Sequence, residues 1–308
     1  MEIITSNRRE FIAQSCLGLI STFYFNNLVK HIPQQSKFQF NYVLASCLFG
    51  YNDLKCILPA VKKTFSVGLD IWPKVHGNQR EQIDEIGLSK FENLLTEYGV
   101  NVKVFTQYRL GPFNLIDEIR FASKLGCEVI VVGSTRQSDL TGSELRAAIQ
   151  SFIDKIEPQV LEAKKYDIKI AIENHVNSLI ESPDSIRIFK ELNRFDNLGI
   201  AFAPYHLPQD ENLLSKLILD IGPSIFLFYA WQHGEGSGDI SQSGIIKQLP
   251  GVGNLDFQPL VDSLKQINYS GLTEIFMHSY PRGTGMYEST ELIINKVNKS
   301  RIYLDSLI

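Results

Sequence analysis

The chain has 308 residues, of which 44% are hydrophobic and 21% are charged, the balance of a globular protein with a substantial core. Its formal net charge is -4, and no run of lysines and arginines forms a basic surface, which argues against a protein that binds a phosphate backbone. The four cysteines show no metal-ligand spacing. Cys16 lies in the N-terminal segment and leaves an odd number, so no disulfide framework is predicted.

The first 33 residues differ in character from the rest of the chain. The sequence SNRREFIAQSCLGLISTFYFNNLVK places Arg8 and Arg9 ahead of two hydrophobic residues and a weakly polar apolar stretch. This order is typical of a twin-arginine export signal and predicts a periplasmic or secreted protein. The usual small-x-small cleavage site is missing, so the signal is either cut around residues 30 to 37 or kept as an anchor. An amphipathic helix that docks on the domain is the alternative.

From residue 40 onward, short apolar runs alternate with amphipathic segments. The runs are apolar throughout rather than alternating, which favours parallel strands covered by helices. They are FNYVLASC (40–47), SVGLDIW (66–72), NVKVFTQY (101–108), EVIVVGS (128–134), IKIAIEN (168–174), LGIAFAP (198–204), IFLFYAW (225–231) and LTEIFM (272–277).

Two of the intervening segments carry clear helix signals. NQREQIDEIGLSKFENLLTEYG is predicted as a helix that ends at Gly99, and TGSELRAAIQSFIDKIEPQVLEAKKY as a helix that begins with a Ser143 cap. Eight consecutive βα repeats predict a single (β/α)8 TIM barrel of class α/β over residues 38–308. An open doubly wound sheet is the alternative, but no glycine-rich phosphate loop follows the first strand.

Histidines follow five of the predicted strands. Of the six histidines, His31 belongs to the N-terminal segment. The other five come just past the ends of strands 2, 5, 6, 7 and 8, and they are His76, His175, His206, His233 and His278. In a barrel these strand ends surround one mouth, where such enzymes keep their chemistry. A single histidine there is usually an ordinary loop residue, whereas five on one rim indicate a functional site.

Two carboxylates end near-continuous apolar strands, Glu173 in IAIENH and Glu274 in LTEIFMH. A buried carboxylate persists when it is paired, hydrogen-bonded or bound to a metal ion. Glutamate and histidine together are good ligands for a divalent cation. The alternative is a structural salt bridge to Lys74, Arg109 or Arg282, each of which also lies near a strand end.

These motifs resemble the xylose isomerase-like TIM barrels, the superfamily of sugar isomerases and epimerases that also contains endonuclease IV. The resemblance covers roughly residues 40–305, and it is carried by IENH on strand 5, GIAFAPYH on strand 6 and the glutamate of strand 8. WPKVHGNQRE and EIFMHSYPRG look like marks of a secreted subgroup.

The resemblance implies a metal site, from which this sequence departs. In the epimerases of the superfamily, Glu, Asp, His and Glu from strands 5 to 8 bind one divalent ion. Glu173 and Glu274 match the two glutamates, but the Asp and His positions align with Ala203 and Ala230. The ion (manganese, magnesium, cobalt or zinc) is therefore either held differently or absent. The ligand set for the first case is Glu173, Glu274, His206 and His233, with His175 as a further donor.

The resemblance also implies a reaction. The two family glutamates stand on opposite faces of the substrate, where one removes a proton alpha to a carbonyl and the other returns a proton to the far face. A metal ion, or in its absence cations such as His206, His278 or Arg282, would stabilise the enediolate oxygens. We therefore expect an exported isomerase or epimerase that acts on a sugar or sugar derivative, with Glu173 and Glu274 as the acid/base pair. The residues expected to bind substrate are His206, His76, Lys74, Arg109, His278 and Arg282.

Two other functions remain open. The same proton abstraction could expel a leaving group, which would make the protein a lyase acting on an oxidised (keto) sugar or glycoside. A non-catalytic carbohydrate-binding barrel that has lost the metal site is the alternative from another class. A nuclease is disfavoured, because a trinuclear site needs more ligands and the chain is not basic. The expected partner is a small carbohydrate, with no nucleic acid and with membrane contact only through an uncleaved signal.

Replacing both Arg8 and Arg9 by lysine is expected to block export, because twin-arginine receptors read the pair of guanidinium groups. Fractionation of cells that express the wild type or the variant measures the effect. Equal export of the two proteins would contradict the presence of such a signal.

Overall fold

Eight parallel strands close into a barrel in the computed structural model of the chain, which describes residues 38–233 and 242–308. The predicted export signal, residues 1–33 with Arg8 and Arg9, lies outside the described residues. Each strand pairs with its neighbours in sequence, and β1 pairs with β8 to close the sheet. The prediction of a single (β/α)8 barrel is therefore confirmed.

Every strand lies within the apolar run that predicted it. Their side chains are almost entirely buried, because the sheet is covered on its outer face and filled on its inner face. The strands are β1 Asn41–Ala45, β2 Gly68–Ile71, β3 Val102–Thr106, β4 Val129–Gly133, β5 Lys169–Glu173, β6 Leu198–Phe202, β7 Ile225–Ala230 and β8 Leu272–Ile275.

Helices follow the strands and cover the barrel. In the described part of the chain they are α1 Leu54–Lys63, α2 Gln79–Ile86, α3 Leu88–Tyr98, α4 Ile116–Lys124, α5 Gly142–Lys164, α6 Pro183–Leu192, α7 Glu211–Ile221, α8 Gln242–Ile246, α9 Gln258–Gln266 and α10 Thr290–Asp305. None of these helices is long and apolar enough to cross a bilayer.

The two helix predictions hold in part. The first segment ends at Gly99 as expected, with a left-handed φ of 58°, but Gly87 at a φ of 84° divides it into α2 and α3. The predicted Ser143 cap is wrong. Thr141, with an extended backbone, occupies the N-cap of α5, so Ser143 lies inside the first turn of the helix.

Side chains at the carboxyl ends of the strands tie the loops of the mouth together. Asn174, which follows β5, donates to the Ala203 carbonyl at 2.9 Å and accepts from the Ala203 N–H at 2.8 Å. Gln248 accepts from the Trp231 indole at 2.8 Å and from the backbone N–H of His278 at 3.0 Å. These buried hydrogen bonds fix the segments that follow β5 to β8 relative to one another.

Strand β6 tolerates no side chain at Gly199. A Cβ atom there would lie 2.5 Å from the Ser224 carbonyl oxygen and 2.6 Å from the Phe226 ring. We expect Gly199→Ala to lower the free energy of unfolding by about 1–3 kcal/mol, because the overlap displaces buried groups. Urea denaturation measures the change.

Gly133→Ala, at the end of β4, is the matched control, because the nearest atom to its Cβ would be Tyr108 Cδ1 at 3.8 Å. This variant should keep wild-type stability or gain up to about 1 kcal/mol. Equal stability of the two variants would contradict the packing of β6 described above.

Candidate active site

A cavity of about 550 Å³ opens at the carboxyl ends of the strands. This is the end of a (β/α)8 barrel at which active sites are found. Aromatic rings form much of its wall, and Trp72 and Phe276 stack on each other with their ring centres 5.2 Å apart. The predicted site residues that line the cavity are Glu173, His76, His175, His278 and Arg282.

Glu173 is the carboxylate of the cavity, although its residue is only 3% exposed. The Tyr108 hydroxyl donates a hydrogen bond to Glu173 Oε2, and His206 Nε2 lies 3.5 Å from Oε1. Burial alone would raise the pKa of Glu173, but His206, His175 and the Tyr108 hydroxyl together lower it below its usual value. Glu173 is therefore ionised at neutral pH.

His206 lies behind Glu173 rather than in the cavity wall. Its ring centre is 3.9 Å from that of His175 and 4.9 Å from that of Tyr205. Burial lowers the pKa of His206, and the Glu173 carboxylate compensates only in part. His206 is therefore neutral at neutral pH, so its contact with Glu173 pairs an anion with an imidazole rather than two opposite charges.

Glu274 is fully buried and stands next to Asp70, below the residues that line the cavity. Burial raises the pKa of Glu274, and the Asp70 carboxylate raises it further. Burial also raises the pKa of Asp70, although the Thr106 hydroxyl donates a hydrogen bond to Asp70 Oδ2 at 2.7 Å. Two buried carboxyl groups that lie next to each other cannot both ionise readily, so the pair holds a proton at neutral pH.

Two imidazoles form one side of the cavity mouth. His76 and His278 stack with ring centres 4.6 Å apart and their planes at 25°. Burial first, and then the Arg282 charge, lower the pKa of His76 to about 4. Burial and its neighbours His76, His206 and Arg282 lower the pKa of His278 well below its usual value. The expectation that His206 and His278 supply positive charge is therefore wrong, whereas Arg282 does supply it.

Three predicted residues lie away from the cavity. Arg109 forms an ion pair with Glu81, with an Nη1–Oε1 distance of 2.9 Å, and the backbone N–H of Lys74 donates to the same carboxylate at 3.1 Å. Glu81 thus binds the Arg109 side chain and the Lys74 backbone, and neither residue lines the cavity. His233 packs against the Tyr205 ring at 5.1 Å.

The predicted metal ligands do not form one site. In residues 38–233 and 242–308, no three His, Cys, Asp or Glu side chains are placed to hold a common ion. Ala203 and Ala230, which the resemblance aligns with two family ligands, are buried and offer no side-chain ligand atom. Glu274 faces Asp70, with which it holds a proton. The residues present therefore do not fit the four-ligand site that the resemblance implies.

Sequence reasoning missed three residues of the site, namely Asp70, Tyr108 and Tyr229. Asp70 carries the same signal that identified Glu274, a charge inside an apolar strand, and the run SVGLDIW shows it plainly. The two tyrosines carried no such signal, because tyrosine is common in strands. The Tyr229 hydroxyl is buried close to the Tyr108 hydroxyl and to the carboxyl groups of Glu274 and Glu173.

Solved structures with the same fold include two sugar epimerases. The chain is 13% identical to D-allulose 3-epimerase from Methylomonas sp. in complex with D-allulose, with a TM-score of 0.65 over 88% of this chain and 98% of that one. It is 15% identical to the apo form of 3-keto-D-glucoside 4-epimerase from E. coli, with a TM-score of 0.61 over 87% and 100% of the two chains.

A third similar structure contains a metal ion. This xylose isomerase-like TIM barrel protein from Mycobacterium smegmatis, in complex with magnesium, is 13% identical, with a TM-score of 0.59 over 85% of this chain and 98% of that one. No curated protein sequence matches the chain significantly. At these identities the structural similarity establishes the fold.

The family is established by the sequence itself. The family described as the xylose isomerase-like TIM barrel matches residues 63–296, which include β2 to β8 and Glu173 and Glu274. This match confirms the resemblance that the strand-end motifs indicated. The chain belongs to the xylose isomerase-like TIM barrel family.

Proposed function

We propose that this protein transfers a proton at the carbon next to a carbonyl group of a sugar or sugar derivative, as an isomerase or epimerase does. The observation that carries the proposal is Glu173, a carboxylate that lines the cavity and stays ionised although it is buried. The two epimerases among the similar structures support a carbohydrate substrate. The N-terminal Arg8–Arg9 pattern supports a location outside the cytoplasm.

Glu173 is suited to be the general base. A base must be ionised at the working pH and within reach of the proton that it removes. The hydrogen bond from Tyr108 leaves Glu173 Oε1 facing His206 at 3.5 Å, a distance longer than a strong hydrogen bond. A buried carboxylate without a charged partner costs stability, and functional sites are where such groups are retained.

Glu274 is suited to be the proton source, because its environment keeps a proton on the Asp70–Glu274 pair at neutral pH. Two carboxyl groups whose pKa values are pushed apart are the usual signature of an acid and a base in one site. Glu274 does not touch the cavity, so it needs a carrier. Tyr229 is its register neighbour on β7 and lines the cavity. We infer that the Tyr229 hydroxyl gives its proton to the substrate and takes one from Glu274.

Neutral donors are available for the enediolate oxygen. The Ser134 hydroxyl lines the cavity beside β5, and its oxygen accepts from the Ile180 N–H at 3.1 Å, which leaves the hydroxyl proton free for the substrate. The apolar face of a sugar ring would pack on the stacked rings of Trp72 and Phe276.

A non-catalytic carbohydrate-binding barrel is the second candidate, and Ala203 and Ala230 are the observation that favours it. A binding protein, however, gains nothing from a buried, ionised Glu173 in the same barrel as the protonated Asp70–Glu274 pair. Exchange of substrate hydrogen with solvent separates the two candidates, because only the enzyme catalyses it.

We expect Glu173→Gln to abolish this exchange, with a loss of about 10²–10⁴-fold, because the amide cannot accept the proton. Nuclear magnetic resonance of a panel of aldoses, ketoses and keto-sugars in D₂O detects deuterium next to the carbonyl. The melting temperature should stay the same or rise, since strained functional groups cost stability.

Glu118→Gln is the matched control, because Glu118 is also buried but accepts from Arg80 at 2.8 Å and from Gln107 at 2.6 Å. It should keep the exchange and lose about 1–3 kcal/mol of stability. Full exchange in Glu173→Gln, or a wild type that exchanges no member of the panel, would refute the proposed reaction.

The Tyr108 hydroxyl is one cause of the low pKa of Glu173. A base is active only above its pKa, so kcat/KM should fall as the pH falls through the pKa of Glu173. Tyr108→Phe removes a donor to the carboxylate and raises this pKa, which should move the acidic limb of the pH profile to higher pH. An unchanged acidic limb would mean that Glu173 is not the titrating base.

A further inference from the structure

We propose that His76, His278 and Arg282 form a subsite for a carboxylate group, so that the substrate is a sugar acid. This inference rests on the proposed function for the carbohydrate part of the ligand only. The carboxylate part rests on the geometry of the loops that follow β2 and β8.

The three side chains line one side of the cavity. The rings of His76 and His278 stack with their centres 4.6 Å apart. Both lie close enough to Arg282 for the guanidinium charge to lower their pKa values. In the part of the chain that the structure describes, Arg282 has no carboxylate partner, and the two rings make no hydrogen bond. A guanidinium and two imidazoles with unused hydrogen-bonding groups thus line the same cavity.

One further donor lies next to this group. The Ser279 hydroxyl, adjacent to His278 in sequence, is buried and has no hydrogen-bond partner among the described residues. The Trp72 ring packs edge-on against His76 with ring centres 5.6 Å apart, but its indole N–H interacts with the buried Asp70 carboxylate and is not a donor for this subsite. A buried donor that lacks a partner is costly, and a bound oxyanion would satisfy it.

The loops that carry the subsite are held in place before any ligand arrives. The Tyr51 N–H donates to the Gly283 carbonyl at 3.0 Å, and the Tyr51 hydroxyl donates to the Val75 carbonyl at 3.2 Å. This residue therefore joins the loop that carries Arg282 to the loop that carries His76. Gln248 fixes the backbone of His278 from the other side. Such preorganisation lowers the entropic cost of binding.

The charge balance favours a carboxylate over a phosphate. The subsite contains one fixed cation, Arg282, because burial keeps His76 and His278 neutral. A phosphate monoester carries about -1.5 to -2 charges at neutral pH, and the ionised Glu173 in the same cavity would repel it. A carboxylate carries one charge, and its two oxygens match the fork of a guanidinium.

Arg136 provides a control on the same cavity. It lines the wall from the loop that follows β4, four strands away from β8 and therefore on the opposite side of the barrel. Both arginines are exposed, so their replacement should leave the fold intact.

The test is calorimetric titration with D-glucuronate, D-galacturonate and D-gluconate, each compared with its neutral counterpart D-glucose or D-galactose, and with glucose 6-phosphate. We expect at least one acid to bind the wild type about tenfold or more tightly than its neutral counterpart. Arg282→Gln should remove that preference without changing the binding of the neutral sugar, and Arg136→Gln should change it by no more than about threefold.

Three results would overturn the proposal: no acid preferred over its neutral sugar, glucose 6-phosphate bound more tightly than every acid, or the same loss in both arginine variants. Titration of Glu173→Gln separates this inference from the proposed reaction, since binding needs no turnover. Binding of the acid without proton exchange in the wild type would refute the reaction and leave the subsite in place.

Discussion

The pairing of β1 with β8 is the constraint on which the site depends. It closes the sheet and brings the ends of all eight parallel strands around one cavity. Glu173 on β5 and the loop after β8 would otherwise lie at distant places in an open sheet. The closure also packs β2 near β8, which places Asp70 beside Glu274. The acid pair, the ionised base and the imidazole stack are therefore consequences of one topology.

Burial and the neighbouring groups then determine which titratable side chains are charged. Glu173 keeps its charge because a tyrosine hydroxyl and two imidazoles surround it. The Asp70–Glu274 pair retains a proton because both groups are fully buried, and the Asp70 carboxylate raises the pKa of Glu274 further. Burial also lowers the pKa values of His206 and His278, so both rings are neutral at neutral pH. Opposite environments for chemically similar groups are what proton-transfer chemistry requires.

Much of this arrangement was predictable from the sequence, because the signals are local. Continuous apolar runs predicted all eight strands, and Glu173 and the rim histidines were found by their position at strand ends. The misses depend on contacts between distant residues. Lys74 and Arg109 looked like cavity cations, but neither lines the cavity, and the Arg109 side chain pairs with Glu81 instead. Nothing in the local sequence shows that His278 stacks on His76, or that Asp70 reaches Glu274. Charge states follow from such contacts, and so they needed the structure.

The central claim is that Glu173 is ionised and Glu274 protonated in the same barrel at neutral pH. Carbon-13 resonances of the side-chain carboxyl groups report this directly, in protein labelled at glutamate and assigned with Glu173→Gln and Glu274→Gln. The account predicts the shift of a carboxylate for Glu173 and that of a carboxylic acid for Glu274. A protonated Glu173, or two ionised glutamates, would contradict it.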